Sequence, residues 1–307
     1  MSVVKYVGVV GKNMVLNGLA MLPLSHELKL KGLSLLGMNR YDPKRVRTNL
    51  KTVLEGIVRY NEHLRLCLNE DLTSFFKGKM CVEFGPAITL AHAQVYRCLG
   101  ARVVLCCDIY PYFDADISSH ARSQAIKMCQ KEYGLKEIKK EKVTVLHATD
   151  LQLSSLKEGI YYVYDETGQF NWSGTVDFVY SKSTLEHMQN LNDSFDIMMR
   201  LLKKNGHMFH AVDFTSHGIY YKTPYDHLLF SPFMWKLMGS HRGIPNRILW
   251  STYERLLKQK GLSLIRTIIY HKQTPATIAT FSQLQRNLRF FSASDLQKQG
   301  VAFLATK

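Results

Sequence analysis

Between residues 80 and 214, short and nearly continuous apolar runs alternate with stretches of helical periodicity, and this alternation restricts the possible folds more than any other feature of the chain. The runs are MCVEF (80–84), ARVVLCCDI (101–109), GIYYVYD (159–165), VDFVYS (176–181) and HMFHAVDF (207–214). Most are too uniformly apolar for strands with one wet face. Helices are predicted between them at 89–99, 114–133 and 190–203. Strand, helix and strand in repetition require crossover connections, so the expected class is α/β, with a doubly wound, mainly parallel sheet. Two further runs, at 263–271 and 301–306, bring the expected count to about seven strands. The Asn205-Gly206 pair is expected to stop the third helix before its strand.

The flanks read differently. Residues 44–76 place Val46, Leu50, Val53, Leu54, Ile57, Tyr60, Leu64 and Leu68 at three-to-four spacing, which predicts one long amphipathic helix before the sheet. A helical N-terminal extension is therefore expected over 1–78 and the sheet domain over 79–307, with a loop-rich insertion on the substrate side at about 215–250 and a helix at 251–260. The run MVLNGLAMLPL (14–24) follows Lys5 and Lys12 and resembles a signal peptide or membrane-seeking helix. It is too short to span a bilayer and has no small-residue cleavage site, so a helix packed on the core is expected, with peripheral membrane contact as the other option.

The formal charge of +15 lies at the ends: residues 1–60 hold ten Lys/Arg against three Asp/Glu, and residues 240–307 eleven against two. Basic ends around a nearly neutral middle suit an acidic substrate, an anionic membrane or nucleic acid, the last not favoured; solvated helix faces are the plain alternative. Both segments are expected to cap the acceptor pocket. The six cysteines show no C-x-x-C pair and no zinc spacing, which predicts buried free thiols, a cytoplasmic location and no metal. No G-x-x-x-x-G-K-S/T element suggests a triphosphatase, and no G-x-S-x-G a hydrolase.

Doubly wound sheets bind ligands outside the carboxyl ends of their strands, where strand order reverses, so the first turn carries the informative residues. There the sequence reads VEFGPAITL (82–90). Gly85 would let backbone approach a ligand, and Glu83 would support the loop or reach an amino group. A full glycine-rich loop would continue with small residues at 87 and 89, but Ala87 and Thr89 stand there. That argues against a dinucleotide, whose pyrophosphate needs bare backbone at a helix start. Asp108 closes the second strand at the offset where a carboxylate accepts ribose hydroxyls. Asp165, with Asp150 as its rival, suits a carboxylate facing an adenine amino group.

In VEFGPA, CCDIYPYF, SKSTLEHMQN and LLKKNGHMF, taken in this order, the chain resembles the class I S-adenosylmethionine-dependent methyltransferases from about residue 80 to 214. Beyond that core, VDFTSH, SPFMW and IPNRILWSTYERLLKQKGL are similar to a bacterial methyltransferase subgroup in which a D-x-x-x-H element and a late Asn-Arg pair recur. The resemblance implies a Rossmann-like sheet and S-adenosyl-L-methionine as cofactor. It implies that Glu83, Gly85 and Pro86 line the methionine side, Asp108 and Ile109 the ribose, and Asp165 and Glu166 the adenine, with Ser181 and Lys182 beside the cofactor.

Methyl transfer at a sulfonium depends mainly on positioning, with a base only where the acceptor must lose a proton. His187, His210, Asp213 and His217 are the titratable groups expected on that rim; His187, Asp213 and His217 are the candidates for acceptor chemistry, against a bracing role for each. The aromatic stretch Tyr220, Tyr221, Tyr225, Phe230, Phe233 and Trp235 reads as core packing or as a pocket wall. The expected function is methyl transfer to an unidentified small or medium-sized acceptor. The alternatives are a non-catalytic module of the same fold, suggested by Ala87 and Thr89, and an RNA methyltransferase using the basic ends.

Overall fold

Each of the five central apolar runs forms a strand in the computed structural model, which describes residues 3–21, 43–111, 113–136, 138–216, 224–239, 244–274 and 291–307. They are β1 (Met80–Phe84), β2 (Val103–Asp108), β4 (Gly159–Tyr164), β5 (Val176–Lys182) and β6 (Leu202–Asp213). With β3 (Val143–His147), β7 (Ser263–Lys272) and β8 (Lys298–Thr306) they form one sheet in the order β3-β4-β2-β1-β5-β6-β8-β7. Pairing is parallel from β3 through β6, and β8 runs antiparallel to both of its neighbours. The described sheet thus has eight strands and not the expected seven. The extra strand, β3, lies at an edge with a half-wet surface, and an edge strand does not need the unbroken apolar run that marks its buried neighbours.

The helices are α1 (Val3–Met21), α2 (Pro43–Leu68), α3 (Leu72–Phe76), α4 (Ala91–Cys98), α5 (Ala115–Tyr133), α6 (Leu191–Leu201), α7 (Pro232–Gly239), α8 (Trp250–Gln259) and α9 (Ala293–Gln297). The single helix expected over 44–76 breaks at Asn69, whose φ of 57° is left-handed, and restarts where the Asp71 carboxylate accepts from the Ser74 amide at 3.0 Å. The Asn205-Gly206 pair does not end α6 as expected. That helix stops at Leu201, and the pair lies in the irregular start of β6, where the register with β5 shifts. Asn205, at φ 63°, donates its amide to the Lys307 carbonyl, and Lys307 returns a bond to Gly206. The pair closes a bulge against the chain end.

Side chains alternate between the two faces of the sheet, and both are covered. Val82, Leu105, Val179 and Met208 pack with Phe195 of α6 and Tyr253 of α8. Cys81, Val104, Phe178 and Phe209 pack with Tyr60 of α2 and Tyr96 of α4. Burial on both faces is why these runs are continuously apolar. Within the basic C-terminal segment, α8 packs on one face of the sheet and β7 and β8 form its outer strands, against which α2 lies. A third, small cluster joins α1 to α7 through Val10, Phe230, Trp235, Met238 and Ile244. Tyr225, Phe230 and Trp235 are thus core residues, while Phe233 is exposed. All six cysteines are free and all but Cys98 are buried. No described helix is long and apolar enough to cross a membrane.

Candidate functional site

The chain leaves β1 towards β2 on one side and reaches β5 on the other, so the sheet's switch point lies between the carboxyl ends of β1 and β5. At the end of β1, Gly85 has φ +66° and donates its amide to the Cys107 carbonyl of β2 at 3.0 Å. A Cβ on Gly85 would come within 2.5 Å of the Thr184 side chain, which follows β5. The two loops therefore meet over the switch point at bare backbone. Beyond it, Ala87 (φ 54°) and Leu90 (φ 48°) are also left-handed, and Pro86 and Thr89 are buried. The turn keeps the backbone of a glycine loop with side chains in place, at about 1–2 kcal/mol for each left-handed non-glycine residue.

Asp108 ends β2 beside this turn. Partial burial raises its carboxyl pKa to about 6, against the opposing backbone hydrogen bonds of Tyr110 and Ile109; the Tyr110 amide donates to Oδ1 at 3.3 Å. The next residue, Ile109, is left 45% exposed, an apolar side chain held open at the same edge. At the end of β4, Asp165 is buried. Its Oδ1 accepts from the amide (2.8 Å) and hydroxyl (2.5 Å) of Thr167. It thus shapes the turn 165–168, whose Gly168 packs near Ile109. Glu166, within that turn, is exposed and pairs with His147 Nε2 at 3.3 Å. One ligand atom each from His147, Asp165 and Glu166 lies within 4.8 Å of the others, a spacing within reach of a cation and also common among acidic groups that bind none. Asp150 is exposed in the 3-10 turn after β3.

Two of the expected residues point into the protein. Glu83, on β1, is buried beneath the turn, with the Tyr180 hydroxyl donating to Oε2 at 3.1 Å and His92 Nδ1 3.5 Å from Oε1. Ser181, on β5, is fully buried with its Oγ 2.7 Å from His210 Nδ1. Burial alone lowers the His210 pKa to about 3, so this rim candidate is a neutral core residue. Lys182 leans towards α2, where a Cβ on Gly56 would lie 3.4 Å from its Nζ.

On the acceptor side, His187 closes a 3-10 turn (Leu185–His187) after β5, and Asp213 ends β6 with Oδ1 accepting from the Thr215 amide at 2.9 Å. His217, Tyr220 and Tyr221 lie outside the described residues. Between His187 and Asp213 stands a residue that sequence reasoning passed over. Glu186 is buried, and desolvation raises its carboxyl pKa to about 8. Its Oε1 accepts from the Asp213 amide at 3.4 Å, while Oε2 has no hydrogen-bond partner. In the sequence it was visible only as the middle letter of Leu-Glu-His, because apolar neighbours far along the chain create its desolvation.

The fold is a doubly wound α/β sheet with its switch point between the carboxyl ends of β1 and β5. No protein-family model matches the sequence, and neither does any curated protein sequence. Among solved structures the chain is similar to S-adenosylmethionine-dependent methyltransferases. One, from Mesorhizobium loti, is 14% identical with a TM-score of 0.42, over 76% of this chain and 92% of that one. The phosphoethanolamine N-methyltransferase 2 of Haemonchus contortus, in complex with S-adenosyl-L-methionine, is 16% identical with a TM-score of 0.43, over 77% of this chain and 51% of that one. The geranyl diphosphate C-methyltransferase of Streptomyces coelicolor is 13% identical with a TM-score of 0.42, over 76% and 74%.

Proposed function

We propose that the protein is an S-adenosylmethionine-dependent methyltransferase acting on a small or medium-sized acceptor. The observation that carries this reading is the pairing of left-handed Gly85 with the partly dehydrated Asp108 carboxyl at adjacent strand ends. A nucleoside with a short zwitterionic tail fits such an edge: the tail needs backbone at Gly85, the ribose a carboxylate at Asp108, and the base an apolar side chain such as Ile109. A pyrophosphate fits poorly, because Ala87 and Thr89 stand where it needs bare backbone before a helix start.

Gly85 and Pro86 then face the methionine portion and Asp108 with Ile109 the ribose. Asp165 and Glu166 flank the adenine, Asp165 through the Oδ2 that its turn leaves over. Glu83 and Ser181 support the strand ends from beneath, and Lys182 borders the cofactor from β5. When bound, S-adenosylmethionine supplies an electrophilic methyl carbon. The chain's own residues position the acceptor and accept its proton, a role given to His187, Asp213 and His217, with Glu186 added. At pH 7 Glu186 is mostly a neutral acid, so a reaction that uses it as base accelerates as pH rises through about 8. Glu186→Gln should then lower turnover about 10²-fold or more and flatten that profile, with cofactor affinity retained.

A non-catalytic module of the same fold is the second reading, favoured by the Thr184 side chain standing over Gly85 where a ligand would approach. Calorimetric titration with S-adenosylhomocysteine tests both. Micromolar-range binding, weakened about ten- to a hundredfold by Asp108→Ala, is expected of the enzyme. Folded protein that gives no heat and no thermal shift overturns it.

A further inference from the structure

The helix α1 turns several apolar side chains outward and two asparagines inward. Its residues Asn13 and Asn17 face inward with Val10 and Leu16, and the Asn17 side chain donates to the Leu237 carbonyl of α7 at 3.0 Å. Among the residues of α1 whose side chains are described, the outward ones are Gly11, Lys12, Met14, Val15, Gly18 and Met21. Val15 is 64% and Met21 59% exposed. The helix it packs on also leaves apolar side chains outside: α7 buries Trp235 and Met238 and turns Phe233 (73% exposed), Lys236 and Leu237 outward. Neither helix contains an acidic residue. Scattered exposed apolar residues need no account, but five large ones on two packed helices, with asparagine inside and methionine outside, do.

We propose that the outward faces of α1 and α7 form a docking surface for an anionic lipid bilayer. The charge on this surface selects among the possible occupants. Lysines with no carboxylate among them attract anionic headgroups, each changing affinity by about fivefold near such a surface. A second copy of the chain would bring its own Lys12 and Lys236, and no acidic residue of either helix, to the same seam. The apolar side chains are those that enter the boundary between headgroups and acyl chains, and the protein lies on the membrane without spanning it, since no described helix is long and apolar enough to cross. The surface is tied to the candidate site. Ile244 belongs to the α1–α7 cluster, and two residues later the Asn246 amide donates to the Glu186 carbonyl at 2.6 Å.

The full chain is tested by flotation with vesicles of phosphatidylcholine alone and of phosphatidylcholine mixed with phosphatidylglycerol, so the readout does not depend on methyl transfer. Binding to the mixed vesicles is expected, with little to the neutral ones and a loss as salt rises. Val15→Asp and Phe233→Asp, both at exposed positions, should each weaken it about tenfold or more at an unchanged melting temperature. Should either variant unfold, the paired change Lys12→Glu with Lys236→Glu, made on the exposed rim, must still remove the preference for anionic vesicles. Equal flotation with neutral vesicles overturns the proposal, as does wild-type protein that stays out of the anionic ones. If Val15→Asp and Phe233→Asp instead dissolve a concentration-dependent dimer, the surface belongs to a second copy.

Discussion

At the end of β2 the Asp108 carboxyl has lost part of its water, and the backbone amides that face it replace only some of the lost solvation, so its pKa stands near 6. A carboxyl raised in the folded state stabilises the fold fully only below its unfolded pKa near 4, and that contribution is lost as pH rises through about 6. At neutral pH the ionised group therefore costs the free protein about 2–3 kcal/mol. Asp108→Asn should remove this cost, so the ligand-free variant melts higher than the wild type at pH 8 but not at pH 4, which a scan of melting temperature against pH measures. Ligand hydroxyls donate to the ionised form, so wild-type affinity for S-adenosylhomocysteine should increase about tenfold between pH 5 and pH 7. A flat calorimetric profile would take Asp108 out of the binding edge. Its position was legible from one acidic residue at a strand end; its pKa was not, because burial is set by residues distant in sequence. Ala87 gives the converse case. The sequence shows a departure from glycine, yet the structure retains the left-handed turn at φ 54°.

Among the elements, those buried on both faces were the most legible. The predicted runs at 80–84, 159–165 and 176–181 coincide with β1, β4 and β5 to within a residue. The edge strand β3 and the break at Asn69 were not legible, since pairing partners and tertiary packing decide them. The segment 244–248 was visible only as an Asn-Arg pair without a role. Asn246 Nδ2 donates to the carbonyls of Leu185 (2.8 Å) and Met188 (2.9 Å), and its Oδ1 accepts from the Ile248 amide at 3.0 Å. Arg247, left-handed at φ 65°, donates to the Leu228 carbonyl at 3.1 Å. Asn246 therefore clamps the turn carrying Glu186 and His187, and Arg247 ties the same segment to the turn at Leu228. Replacing Asn246 with Ala strips three bonds from partly buried backbone and should destabilise the protein by about 2–3 kcal/mol in a denaturant titration. Asn246→Asp, which keeps the acceptor and not the two donors, should recover only part of that loss. An Ala variant of wild-type stability would mean that the turn holds without the clamp.

On the scale of the whole molecule, the two clusters flanking the sheet share its strands, whereas the α1–α7 cluster has five buried members of its own, none of them on a strand. Regions with few buried apolar contacts open at lower free energy than the global unfolding. Hydrogen exchange should therefore rank the amides, with α1 and α7 exchanging at least about tenfold faster than β1, β2 and β5. A ligand that binds only the native state adds RT ln(1 + [L]/Kd) to the global opening, about 2.7 kcal/mol at a hundred times Kd, and nothing to openings that leave its site intact. Saturating S-adenosylhomocysteine should accordingly slow exchange in β1, β2 and β5 by about a hundredfold while leaving α1 and α7 close to their free rates. Equal slowing of α1 and α7 would show that they open only with the sheet, as parts of one cooperative unit. Unequal slowing would show that the surface carrying Val15 and Phe233 can loosen and reseat without disturbing the edge at Gly85 and Asp108, as a surface that exchanges water for another environment requires.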